Sequence, residues 1–165
     1  MGAPHIQPLG RQEATTLLGT LIGLRASYAW RGYGTALFLE FGRLRRTSRL
    51  HHPVGEAGAM VEWSWRVERQ RSIAFGSWSS DRQIDAGIER LAGPHVTDVT
   101  ITGRLPELVI ALSDRRWVHT FMTAKGAPAW TVFLHDGSWV NFEGGRLVHN
   151  TQNRLRPGQH RVASA

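Results

Sequence analysis

Val61-Glu62-Trp63-Ser64-Trp65-Arg66-Val67-Glu68 sets apolar residues at every second position against glutamate, serine and arginine. A period of two places alternate side chains on opposite faces of a pleated strand. One apolar and one charged face predicts an antiparallel sheet with one side in water. Ser72–Ser77, with Ile73 and Phe75, reads as its partner strand.

Outward from there the same period recurs. Ile22, Leu24, Ala26, Tyr28 and Trp30 share one parity, Arg31-Gly32-Tyr33-Gly34 supplies turn residues, and Leu37, Leu39 and Phe41 continue in register. These segments predict a hairpin. Residues 42–59 lose the pattern and read as a long basic loop. Ser80 with Gln83 three residues on signals a helix start, Ile84, Ile88 and Leu91 give one apolar stripe, and Gly93-Pro94 gives a stop. A helix is therefore expected at about 80–92, with Gly87 either close against the sheet or a weak point. Strands follow at 96–102, 107–113, 117–122, 129–134, 138–142 and 146–149, with Asp136-Gly137 as a hairpin turn.

The two halves echo one another. Leu17-Leu18-Gly19, a strand, a turn and Ala36–Leu39 precede Trp63; Leu91-Ala92-Gly93, a strand, a turn and Leu108–Leu112 precede Trp130. The expectation is a mainly β (α+β) fold. It consists of two antiparallel four-strand meanders, an internal duplication closing into a barrel or a sandwich, joined by the one helix. The domain plan is a flexible arm over 1–14 and a β-rich domain over 15–149. The first meander covers 20–77 and the second 95–149, and a basic tail covers 150–165. Leu17-Leu18-Gly19, Glu62-Trp63 and Ala74-Phe75-Gly76-Ser77 resemble the corresponding segments of small uncharacterised bacterial β-rich domains. That resemblance implies a fold and no activity.

The chain has 165 residues and a net charge of +7, with 7 tryptophans and no cysteine. Disulfides, thiol catalysis and thiolate metal sites are thereby excluded. No apolar run approaches the roughly 20 residues of a membrane helix. Neither a membrane span nor a secretory leader is expected, and the placement expected is cytoplasmic. The charge is concentrated in Arg43, Arg45, Arg46 and Arg49 of the loop and in Arg154, Arg156 and Arg161 of the tail. Without a basic stripe interleaved with aromatics, nucleic acid is a weaker expectation than protein.

No histidine spacing matches a metal motif, Gly76-Ser77-Trp78-Ser79-Ser80 lacks the G-x-S-x-G frame of a nucleophile, and no phosphate-cradling glycine loop occurs. No cofactor, metal or catalytic residue is assigned. The reading is a non-enzymatic bacterial binding domain of regulatory or toxin-neutralising type, contacting a protein partner or a second copy of itself as a homodimer. Its contact residues are expected to be Arg43, Arg45, Arg46, Arg49, His51, His52, Trp78 and Trp117. A small-ligand-binding β-barrel and an enzyme of unrecognised type stand as alternatives.

Overall fold

The computed structural model describes residues 6–46, 51–62, 64–125 and 129–151. Arg49, Trp63, residues 126–128 and the residues beyond Thr151 lie outside the described residues. The strands are β1 (Ile6–Leu9), β2 (Ala26–Arg31), β3 (Leu37–Phe41), β4 (Ala57–Val61), β5 (Trp65–Arg69), β6 (Ser72–Gly76), β7 (Val96–Thr102), β8 (Glu107–Leu112), β9 (Arg116–Thr120), β10 (Trp130–Phe133), β11 (Trp139–Glu143) and β12 (Arg146–Asn150). The helices are α1 (Arg11–Leu18) and α2 (Asp81–Glu89).

All ladders are antiparallel. They form a seven-stranded sheet ordered β1-β12-β11-β10-β4-β3-β2 and a five-stranded sheet ordered β6-β5-β9-β8-β7. Among the described residues the sheets do not close into a barrel; they share one buried core that includes Leu39, Phe41, Trp65, Ile110, Val118, Trp130 and Val132. Water-avoiding side chains on alternating positions thus drive the two sheets together, as the sequence period requires.

Several expectations are corrected. The run 61–68 is not one strand: β4 ends at Val61, β5 begins at Trp65, and the chain crosses between the sheets over Glu62–Ser64. The Glu62 N–H donates to Ala129 O, and the Phe121 N–H to Ser64 O, so the corner keeps its backbone bonds. Each sheet therefore mixes strands from both halves of the chain, and neither half is a self-contained four-strand meander. The loop expected over 42–59 already holds β4 from Ala57, an apolar strand buried on both faces. Residues 6–14 are no loose arm. Ile6–Leu9 pair with β12, and α1 buries Ala14 and Leu18 one turn apart. Asn150 belongs to β12, not to the tail.

A bulge between Ala26 and Tyr28 corrects the face assignment of β2. One extra residue reverses the parity beyond it, so Ala26 points into the core while Tyr28 and Trp30 turn to the outer face of the large sheet.

The same set of contacts occurs twice. Gly23 donates to Val96 O and Gly93 to Ala26 O; Ala26 donates to Pro94 O and Val96 to Leu24 O. The four bonds surround a bridge between Arg25 and His95, which ties the edge of β2 to the edge of β7. Gly23 and Gly93 both hold positive φ (88° and 123°), a backbone state that glycine adopts without a Cβ clash. β7 carries its own bulge between Val96 and Asp98. Trp65 Nε1 donates to Thr35 O at 2.7 Å and Trp130 Nε1 to Pro106 O at 2.9 Å, each rivetting a hairpin turn to the core. Ala14, Leu18 and Leu21 are buried where Ile84, Ile88 and Leu91 are buried. The correspondence therefore pairs Gly23 with Gly93 and Trp65 with Trp130, in place of the Gly19 and Trp63 of the sequence alignment.

Candidate functional site

Trp30 is the residue from which the outer face of the large sheet is built. Its indole stacks on Phe38 (3.9 Å between centroids, 8° between planes) and, on its other face, on His52 (4.4 Å, 14°). Tyr28 Oη and His52 Nδ1 share a hydrogen bond of 3.1 Å. Phe38 continues the layer into Met60, Phe133 and Trp139, all buried. The expectation of one wet face thus fails at the centre of this sheet, where an apolar layer lies outside the strands as well as inside.

The basic loop is fastened across that layer. Arg45 and Val54 exchange both backbone bonds (2.8 and 2.9 Å), making the excursion a hairpin. The Gly55 N–H donates to the buried Glu40 carboxylate at 2.8 Å, and the Arg43 N–H donates to Glu56 at 2.7 Å. A Cβ at Gly55 would run into the Phe41 backbone, so only glycine lets the returning strand lie this close to β3. The loop therefore leaves Arg43, Arg45, Arg46 and His51 exposed on a fixed base. His52, expected as a contact residue, also pins the hairpin to Trp30.

At the end of β2 a second arrangement stands beside the first. Arg31 donates from Nε to Gly34 O (2.7 Å) and pairs with Asp81 (2.7 Å) and Asp85 (3.1 Å) on α2. Hydrogen bonds to Asp81 and then Asp85 hold the guanidinium above its ordinary pKa. Arg31 thereby locks the β2–β3 turn to the first turn of α2. Upon this frame Tyr33 is 102 % exposed and Trp78 83 % exposed, while the other described tryptophans are buried or half-buried. Trp78 owes its place to the tight turn ahead of α2, where Ser79 donates its N–H to Gly76 O.

Trp117 is not brought to this region. It faces outward from β9 in the small sheet, in register with Glu68 and Ala111. There Glu68 accepts from Arg66 Nε at 2.6 Å, with His119 Nδ1 at 3.4 Å, and Arg66 lies over the Phe121 ring. Desolvation works to raise the Glu68 carboxyl, but the Arg66 and His119 interactions outweigh it and hold it below the usual range. An ionised carboxylate clasped by arginine has no proton to give, and it is a weak base.

A Ser, His and Asp also meet at the β10–β11 turn. Ser138 Oγ donates to Asp136 at 2.6 Å and lies 2.9 Å from His149 Nε2. Ser138 above all, against some desolvation, keeps the Asp136 carboxyl below its ordinary value. The serine sits in the middle of the chain, so its proton is committed to the aspartate and the imidazole donates to it. Nucleophile activation requires the imidazole in the middle as the acceptor. The trio fastens a hairpin. Among the described residues no three histidine, aspartate or glutamate side chains converge as a metal site, and no helix is long and apolar enough to cross a membrane.

Sequence reasoning singled out the loop arginines and Trp78 but assigned no role to the Arg31 lock or to the Tyr28 contact with His52. Tyr33 it placed only in a turn or as a companion aromatic. The signal for Arg31 was the pair Asp81 and Asp85, four apart on one face of α2, a helix whose own Arg82 makes an ion pair with neither among the described residues. No family model, curated protein or solved structure matches this chain.

Proposed function

We propose that the chain is a non-enzymatic cytoplasmic binding domain that contacts a protein partner through the rim formed by Tyr33 and Trp78 and through the basic hairpin that His52 fastens to Trp30. The observation that carries this is the near-complete exposure of Trp78 and Tyr33 on a frame locked by Arg31. Exposed large rings gain nothing in the isolated chain. At an interface, tryptophan, tyrosine and arginine are the residues that most often dominate binding, because rings bury much area for little lost side-chain freedom. Arg43, Arg45 and Arg46 add positive charge, which steers toward an acidic surface. With a net charge of +7, the same charge repels a second copy, so a distinct acidic protein is favoured over a homodimer.

The twofold recurrence of bonds about Arg25 and His95 supports reading the scaffold as an internal duplication arranged as a sandwich. One end of it has diverged toward aromatic recognition. A regulatory or neutralising role, in which the domain acts by occupying its partner, agrees with a scaffold whose ion pairs among the described residues are structural clasps.

The test uses three immobilised chains: wild type, Tyr33→Ala/Trp78→Ala and Arg43→Ser/Arg45→Ser/Arg46→Ser. Any protein captured by wild type is purified and titrated against each. The expected result is loss of binding with the aromatic pair and a slower, less salt-sensitive association with the arginine set. A purified partner that binds all three chains alike would refute the proposal.

A further inference from the structure

The end of the molecule that corresponds to the Tyr33–Trp78 rim is built from different chemistry. Arg11 begins α1 where Asp81 begins α2, and Ile101 on β7 stands where Arg31 stands on β2. The helix-to-strand ion pair is therefore replaced: Arg11 donates to the backbone carbonyls of Ile101 (3.1 Å) and Gly103 (2.7 Å). Carbonyls orient the guanidinium without cancelling its charge. Arg104, on the β7–β8 turn, and Arg146, at the start of β12, form no ion pair among the described residues. Of the carboxylates on the same elements, Glu13 is turned back to accept from the Gly10 N–H. Glu143, although in register with Arg146, makes no ion pair with it.

These three guanidiniums surround a groove of about 400 Å³ with Leu105, Pro106 and Phe142 in its lining. Its size falls in the range of small-molecule sites. Leu105 is left 46 % exposed there. The floor is held from beneath, because the carbonyl of Pro106 accepts the Trp130 indole N–H. An apolar lining ringed by planar cations that form no ion pair among the described residues matches one ligand chemistry: a planar or ring-bearing body to cover Leu105 and Phe142, carrying an anionic group that takes guanidinium hydrogen bonds.

We propose that this groove is a binding site for a small aromatic anion, an aryl carboxylate, phosphate or sulfonate, distinct from the protein-binding rim at the opposite end. Arg104 and Arg146 grip the anionic group, Arg11 supplies a fixed positive field, and Leu105 with Phe142 receives the ring.

The probe is 8-anilinonaphthalene-1-sulfonate, titrated into the full chain and followed by its own fluorescence. One saturable site is expected. Arg104→Gln/Arg146→Gln should weaken it about tenfold or more, the loss that follows when two charge-assisted contacts go. Both positions lie at turns, and Leu105→Asp, which keeps every arginine, is the second variant and should weaken binding as well. Tyr33→Ala/Trp78→Ala should leave the affinity unchanged. Phenyl phosphate should displace the probe at lower concentration than sodium phosphate. Equal affinity in the arginine or Leu105 variants, loss in the aromatic variant instead, or equal displacement by the two phosphates would each overturn the site.

Discussion

Replacing Gly87 by alanine reverses the usual sign of a helix substitution. In a helix interior, alanine for glycine gains about 1 kcal/mol, because glycine has more backbone freedom to lose. Here a Cβ on Gly87 would come within 2.6 Å of two Phe75 ring carbons and 2.7 Å of a third. The ring cannot simply swing aside: it is buried and meets Trp65 edge-on, at 5.7 Å and 87°. Forcing a methyl into such packing costs about 1–3 kcal/mol. The balance is a net loss of about 0–2 kcal/mol. Urea unfolding of Gly87→Ala should therefore show a midpoint no higher than wild type, with an unchanged slope. Phe75→Leu removes the flat ring. In the pair Phe75→Leu/Gly87→Ala, the alanine should recover much of its propensity gain, a coupling of about 1 kcal/mol within the range for residues in contact. If Gly87→Ala alone stabilises by the full propensity difference, the packing of α2 on β6 is wrong.

Three further outcomes follow from the same geometry. Trp65→Phe and Trp130→Phe each remove an indole donor from a turn carbonyl and should each cost about 1–3 kcal/mol in chemical denaturation; a large loss at one position and none at the other would break their equivalence. Asp136 has a lowered folded-state pKa, so its ionised form stabilises the fold above the unfolded value and that contribution disappears as pH falls through the folded one. The melting-temperature gap between wild type and Asp136→Asn should therefore be full at neutral pH and shrink below about pH 4, and a gap that widens in acid would contradict the Ser138 clasp. Tyr33→Ala/Trp78→Ala should leave stability within about 0.5 kcal/mol of wild type by calorimetry, as exposed positions do; a larger loss would mean these rings serve the fold.

The sequence period was enough to read a mainly β antiparallel protein and the α2 helix, because each depends on local spacing; it left open whether the sheets close and whether Gly87 marks a close approach or a weak point. What escaped the reading depends on contacts between distant segments. The bulge after Ala26 carries no composition signal, yet it decides that Tyr28 and Trp30 face outward and so creates the layer that anchors the hairpin. Ala57–Val61 is an apolar strand buried on both faces, leaving no alternation to detect. The corner at Glu62–Ser64 preserves the alternation of Val61, Trp65 and Val67 across two sheets, so one strand and two strands look identical in the chain. α1 was hidden because only Ala14 and Leu18 are buried on it. At the candidate rim, Trp78 was legible as an aromatic at an element end. The Arg31 lock was not, since it joins residues 31 and 81 through tertiary contact alone.

Arg25 and His95 form the bridge about which the two halves match, and they lie as a pair that exchanges no backbone bond with each other. In such a pair the Cα atoms approach to about 4.5 Å. A nuclear Overhauser spectrum of the labelled chain should contain a strong Hα–Hα cross-peak between Arg25 and His95, with the amides of Gly23, Ala26, Gly93 and Val96 protected from exchange. Assigned resonances for both residues with no such cross-peak, and rapid exchange at those four amides, would contradict the account at its centre.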